Sequence, residues 1–122
     1  AIEKHVASTE ARYGIKVNAE LDAEPDVPLP VKEALYRIMQ EALHNTVKHA
    51  RATNVDIRLR DLPDAVELEL RDDGAGFDTS QDFPGQLGLK SMRERAVRLG
   101  GEFELESSPG KGTRICARIP KR

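Results

Sequence analysis

Five segments of the chain alternate apolar and polar residues with a period of two, and no other feature restricts the fold as strongly. Along residues 15–21, Ile15, Val17, Ala19 and Leu21 fall on one side, with Lys16, Asn18 and Glu20 on the other. Residues 55–60 set Val55, Ile57 and Leu59 against Asp56, Arg58 and Arg60, and residues 66–71 set Val66, Leu68 and Leu70 against Glu67, Glu69 and Arg71. Residues 102–106 oppose Phe103 and Leu105 to three glutamates; residues 113–119 oppose Thr113, Ile115, Ala117 and Ile119 to Arg114, Cys116 and Arg118. Successive side chains leave a strand on opposite sides, so the pattern describes strands with one buried face and one wet face. An all-parallel sheet covered on both sides would show continuous apolar runs instead. Pairing is therefore expected to be mainly antiparallel. The last two strands should form a hairpin through 107–112, with outward glutamates facing outward arginines.

The apolar face needs cover, and the sequence offers three helices: about 1–13, about Pro30 to Ala50, and 88–101. Pro30 suits a first turn, where its missing N–H has no carbonyl to serve. Gly100 and Gly101 suit a C-terminal cap. The expected fold class is an α/β two-layer sandwich: a mixed, mostly antiparallel five-stranded sheet with three helices on one face, as one domain over 1–122. Residues 1–13 are expected to be an N-terminal helix or linker, and the start inside a helical pattern suggests a piece cut from a longer chain.

Charge and cysteine content narrow the function classes. A net charge of −2 over 122 residues gives no electrostatic reason to expect nucleic acid or an anionic membrane as partner. No apolar run approaches the roughly 18 residues of a membrane span, and no signal-peptide pattern is present. The single cysteine, Cys116, rules out an internal disulfide and a cysteine-based zinc site, and fits a reducing compartment.

Two stretches carry chemistry. In "RDDGAGFD", residues 71–78, an Asp-Gly pair ends a strand. A hairpin turn would need a second alternating strand directly after it, whereas a polar segment broken by Gly and Pro follows. The turn is expected to hold a flat ring, with the following loop closing over phosphates. In the central helix, Val31, Leu35, Ile38, Met39, Ala42 and Thr46 form an apolar arc, and Glu41, Asn45 and Lys48 a stripe along its border at i, i+4 and i+7. That stripe is either a solvated face with a Glu–Lys pairing or a metal-phosphate site. For the second reading, an amide oxygen can ligate Mg²⁺, an ammonium can neutralise phosphate, and a carboxylate can poise a water. Asparagine is a mediocre interior helix former, which favours that second reading.

"QEALHNTVKHA", "DDGAGF", "GQLGLKSMRERA" and "SSPGKGT" occur in this order. Together they resemble the N box, the first and second glycine boxes and the final Gly-x-Gly-Thr element of the GHKL (Bergerat-fold, HATPase) superfamily. Within it the chain looks like the ATP-binding catalytic domain of bacterial sensor histidine kinases, and "MRERA" looks like the NarL/DesK-like subfamily. The resemblance covers about residues 15–120.

Residue by residue, the resemblance implies ATP and Mg²⁺ as ligands. Asp72 takes the adenine-reading position, Gly74 and Gly76 let the backbone pass close to the ring, and Thr113 shares a water with Asp72; Asp73 receives no role. Asn45 matches the Mg²⁺ ligand, Lys48 a basic position near phosphate, and Glu41 the acid that activates water in the ATPase branches. His49 follows the family's "KHA" ending, as a phosphate or ribose contact or as helix-end packing. Gly85, Leu87, Gly88 and Leu89 of "GQLGL" match the second glycine box, and 77–87 the ATP lid. "GQLGLKS" has the wrong spacing for a Walker A loop, and "DDGAGF" lacks the third glycine of a dinucleotide fingerprint.

A phosphoacceptor histidine is not found: His5 lacks a following acid, and His44 lies within the nucleotide helix. The resemblance thus implies an ATP-loading domain, which delivers the γ-phosphate to a histidine on a separate dimerisation domain. A NarL-like response regulator would lie downstream. The domain would be cytoplasmic without membrane contact of its own, in a parent that is soluble or an inner-membrane sensor. The alternatives are an autonomous GHKL ATPase, an anti-sigma-factor-like serine kinase, and a nucleotide sensor or docking module without catalysis.

Overall fold

The computed structural model describes residues 2–22, 25–50, 52–82 and 85–121, and the side chains of these except His49 and Ala50. The elements run α1 (Ile2–Tyr13), β1 (Lys16–Leu21), α2 (Leu29–Asn45), a π-helical turn (Thr46–Ala50), β2 (Asn54–Asp61), β3 (Ala65–Asp72), α3 (Gln86–Arg98), β4 (Glu102–Ser107) and β5 (Thr113–Pro120). All five alternating segments are strands of one sheet, ordered β1-β2-β3-β5-β4. β1 pairs with β2 in parallel, and the other three pairings are antiparallel. A parallel pair needs a crossover, which α2 supplies.

The inward faces of the strands meet the helices in one core. Ile38, Met39 and Leu43 of α2 and Met92 and Ala96 of α3 are buried against Val55, Ile57, Val66, Leu68, Ala117 and Ile119. α1 adds Val6 beside Ile15 and Val17 at the β1 edge, and Glu10 accepts a hydrogen bond from the Val17 N–H at 3.0 Å. α3 ends in a paired cap: Gly100, with φ of 78°, donates to the Val97 carbonyl and Gly101 to that of Ala96.

The other sheet face carries matched charges. Arg114 reaches Glu69 at 2.7 Å and Glu106 at 2.8 Å, and Glu20 pairs with Arg58 at 3.3 Å. Cys116 projects to this face yet is buried, standing opposite Glu69 and Glu104 in the register. That burial pushes its thiol up to about 11.

Three expectations are corrected. Ala19 is exposed, because β1 is an edge strand buried only at Val17. α3 begins at Gln86, so Gly88 lies inside its first turn. The central helix does not run unbroken to Ala50 but becomes π-helical after Asn45, with the Thr46 N–H shared between the carbonyls of Ala42 and Leu43. A π turn advances fewer degrees per residue than an α turn, so Lys48 does not keep the angular position that 100° per residue gives it.

Candidate functional site

A cavity of about 70 Å³ opens where the C-terminal end of β3 meets α2 and α3. Of the sequence candidates it gathers Asn45, Asp72, Gly76, Leu89 and Thr113. Leu70, Met92 and Ile115 give it apolar walls, and Asp72 is a charged group set among them.

Asp72 reaches the cavity because it ends β3 on the inward side, continuing the phase of Val66, Leu68 and Leu70. It is 7% exposed. Burial raises its carboxyl above the ordinary value of 3.8, partly opposed by the Gly74 N–H and the Thr46 hydroxyl, and Asp73 pushes the same way as burial. The Gly74 N–H donates to Oδ1 at 2.8 Å, which places Gly74 in a turn that holds the carboxylate. Asp73 points outward and receives the backbone N–H groups of Thr53 and Asn54 and both their side chains, at 2.8–3.0 Å. Those four donors hold its carboxyl well below the usual range.

Glycines at 76 and 112 bring the 72–77 loop onto the β4–β5 hairpin. A Cβ at Gly76 would collide with the Ser108 carbonyl, and one at Gly112 with that of Asp72; both have positive φ. Gly76 is therefore required by the neighbouring backbone, independently of any ring beside it. Ser107 ties the two loops together. Its hydroxyl accepts from the Phe77 N–H at 3.0 Å, donates to the Gly112 carbonyl at 2.9 Å and lies 3.0 Å from the Thr113 hydroxyl.

The start of α3 closes the site from the other side. Gly85 precedes it with φ of 86°, and a Cβ there would stand 2.9 Å from Asn45 Oδ1. A Cβ at Gly88 would collide with the Glu41 carboxylate. Asn45 and Glu41 are thus aimed at the first turn of α3, whose free N–H groups favour an anion.

The stripe on α2 is divided between two openings. Asn45 lines the cavity, whereas Glu41 and Lys48 border a groove between α1 and α2 that also holds His5 and His44. Leu87 is 80% exposed and is not part of the cavity lining. The side chain of His49 lies outside the described residues, as do Phe83 and Pro84 of the 77–87 segment. The sequence reading missed Thr46, Phe77, Met92 and Ser107. Thr46 left a signal, because a hydroxyl on a buried stripe needs a partner.

No cluster of three His, Cys, Asp or Glu side chains that could hold a metal occurs among the described residues. A cation here would therefore rest on the Asn45 amide oxygen and on oxygens brought by a ligand, which fits Mg²⁺ better than a metal needing several protein ligands. Apolar walls, a buried acceptor, and an amide beside a helix N-terminus suit a ligand that joins an apolar ring with a hydrogen-bonding edge to an anionic group.

The chain belongs to a family of nucleotide-using enzymes: the family model described as histidine kinase-, DNA gyrase B- and HSP90-like ATPase matches residues 31–122. Among curated relatives it is 36% identical over 119 residues to the sensor protein VraS of Staphylococcus epidermidis, covering 98% of this chain and 34% of that protein. VraS of Staphylococcus aureus is 39% identical over 94 residues, 77% of this chain and 27% of the relative. The chain thus spans between about a quarter and a third of the length of these relatives. Its structure is similar to the histidine kinase domain of the Erythrobacter litoralis EL346 blue-light activated histidine kinase, with a TM-score of 0.81 at 27% identity, covering 98% of this chain and 59% of that one. The Acinetobacter baumannii histidine kinase AdeS, at 15% identity and a TM-score of 0.75 over 99% of this chain and 61% of that one, shares the fold.

Proposed function

We propose that the chain binds Mg·ATP and acts as the catalytic domain of a sensor histidine kinase, delivering the γ-phosphoryl group to a histidine on a separate dimerisation domain. The observation that carries this reading is the Asp72 carboxylate, buried in an apolar slot that Asn45 also lines, with Gly85 packed against the Asn45 amide. An ionised carboxylate there accepts from the exocyclic amine of adenine and repels the carbonyl that guanine presents. Thr113 and Gly74 complete the polar end of the slot, while Leu89 and Gly76 bound the ring.

When bound, Mg²⁺ supplies positive charge that neutralises the phosphates, and Asn45 is its protein ligand. Gly85 and Gly88 let α3 approach α2 closely enough for its N-terminal amides to face phosphate. Residues 77–87, with exposed Leu87 at their end, form the lid. Lys48, on the groove between α1 and α2, adds positive charge for phosphate, and His49 is assigned to the same role by its place in the "KHA" ending. Catalysis is then positioning and charge neutralisation, with the nucleophile supplied by the partner. The partners are a histidine-bearing dimerisation domain and a response regulator, of the NarL-like class if "MRERA" marks that subfamily. A cytoplasmic position follows from that partnership; among the described residues no helix is long and apolar enough to cross a membrane.

Glu41 favours a second reading, because its carboxylate abuts Gly88 in the first turn of α3, and an acid beside that turn can poise a water for hydrolysis. Two measurements separate the readings. A fluorescent ATP analogue should bind wild type in a Mg²⁺-dependent way, bind Asp72→Asn weakly, and lose its Mg²⁺ dependence in Asn45→Ala. Labelled ATP should then transfer phosphate to an added dimerisation domain. Equal nucleotide binding by wild type and Asp72→Asn would reject the site, and steady hydrolysis without transfer would favour the ATPase.

A further inference from the structure

Thr9 and Thr46 both lie in helical stretches, and their hydroxyls go to different places. Thr9 in α1 donates to the His5 carbonyl one turn back, at 2.9 Å, the common outlet for a threonine in a helix. Thr46 opens the π-helical turn, where the Ala42 and Leu43 carbonyls already share its own N–H. Its hydroxyl instead donates across to β3, to Asp72 Oδ2 at 3.2 Å. Both side chains are buried, Thr46 at 2% exposure and Asp72 at 7%. The Gly74 N–H donates to Oδ1, and the Thr113 backbone N–H also favours the carboxylate. These three donors still leave the carboxylate lone-pair capacity for a ligand.

We propose that Thr46 is a positioning residue for Asp72: its hydroxyl fixes the plane of the carboxylate and keeps it an acceptor, and so sets the preference for an amino over a carbonyl edge in the bound ring. Thr46 thereby deepens, and depends on, the reading of the cavity as an adenine site. The physical reason is the choice facing a buried acid. Burial and the neighbouring Asp73 charge both favour the protonated form. A protonated carboxyl donates on one oxygen and would accept the guanine carbonyl edge as a partner. The cavity lining contributes no cation from α2, α3, β3 or β5 to resist this; Arg71, Lys111 and Arg114 border the outer groove on the far side of Asp72. Resistance to protonation falls to hydrogen-bond donors, and Thr46 is the side-chain donor among them.

The test compares wild type with Thr46→Val, which keeps the shape and removes the hydroxyl, and with Thr46→Ser, which restores it. Thr46→Ala replaces the valine variant should that one fail to fold. A fluorescent ATP analogue is displaced by ATP or GTP between pH 5 and 8, and the Asp72 carboxyl is titrated by carbon NMR without nucleotide. A hydrogen bond to a charged group corresponds to roughly tenfold to a hundredfold in affinity. Thr46→Val should lose about that much ATP affinity while GTP changes little. Its Asp72 titration should move to higher pH, and Thr46→Ser should return both readouts to wild type. A valine variant with wild-type ATP preference and an unmoved Asp72 titration would overturn the role of Thr46 alone. A wild type that does not prefer ATP to GTP would overturn the adenine reading itself, and the selectivity role of Thr46 with it.

Discussion

Asp72 and Asp73 are consecutive residues whose carboxylates meet opposite surroundings: one turns inward to an apolar slot, held by Thr46 and Gly74, the other outward to four donors from residues 53 and 54. Burial moves Asp72 up from 3.8 and hydrogen bonding moves Asp73 down from it. Opposite shifts give opposite pH dependences of stability.

For Asp72 the folded state binds its proton more tightly than the unfolded state does. Stability therefore falls as pH rises from the ordinary value of 3.8 through the raised one, and the cost is fully present above it. Asp72→Asn removes this cost while Gly74 and Thr46 can still bond the amide. Its urea midpoint should equal that of wild type near pH 3.5 and lie at or above it at pH 7. A protein made more stable and less able to hold ATP is the trade expected where function requires a buried charge.

For Asp73 the sign reverses. Its folded carboxyl lies below the unfolded value, so its contribution is complete at neutral pH and declines as pH falls below about 4. Asp73→Ala should lower the thermal midpoint at pH 7 and do so progressively less in acid. It should also speed amide exchange at Thr53 and Asn54, whose N–H groups it holds. ATP affinity should change less than in Asp72→Asn.

The two glycines flanking the start of α3 should respond differently to alanine. At Gly85 the left-handed φ of 86° costs roughly 1–2 kcal/mol for any Cβ, and the new methyl presses on Asn45. Gly85→Ala should therefore lower both stability and Mg·ATP affinity. At Gly88 the obstacle is the end of the flexible Glu41 side chain, and alanine is about 1 kcal/mol better than glycine inside a helix. Gly88→Ala should leave the unfolding free energy unchanged or higher while displacing the Glu41 carboxylate, which phosphotransfer and hydrolysis assays would register.

The strands were legible because alternation is a local property, and the charge match across β4 and β5 follows from the same phase, with Glu106 facing Arg114 and Glu102 facing Arg118. Asp72 was placed in the site by the resemblance of "DDGAGF" to the first glycine box, and in the fold it reaches the cavity because it continues the inward phase of β3. Features that depend on distant partners were not legible. Thr46 sits on the apolar arc by angle, and only its juxtaposition with β3 shows that its hydroxyl serves Asp72. The π turn changes hydrogen-bond register without changing composition, so Lys48 was placed on a stripe it leaves. Cys116 occupies an outward position, and its burial, between strands β3 and β4 in the sheet, is a property of the assembled sheet and not of its own segment.

Gly110 and Gly112 form a matched pair for separating backbone strain from crowding. Both have left-handed φ, 79° and 71°, within the same hairpin connection. A Cβ at Gly110 meets nothing within 4 Å, so Gly110→Ala should lose only the roughly 1–2 kcal/mol of the conformation itself. At Gly112 the Cβ drives into the Asp72 carbonyl, which is main chain and cannot swing aside. Gly112→Ala should therefore lose clearly more than Gly110→Ala, by about 1–3 kcal/mol, in urea unfolding. Because the displaced atom belongs to Asp72, it should also weaken ATP binding, whereas Gly110→Ala should not. Equal losses of stability in the two variants would mean that the hairpin can move away from β3, and that the close approach of residue 112 is not what holds the Asp72 end of the slot in place.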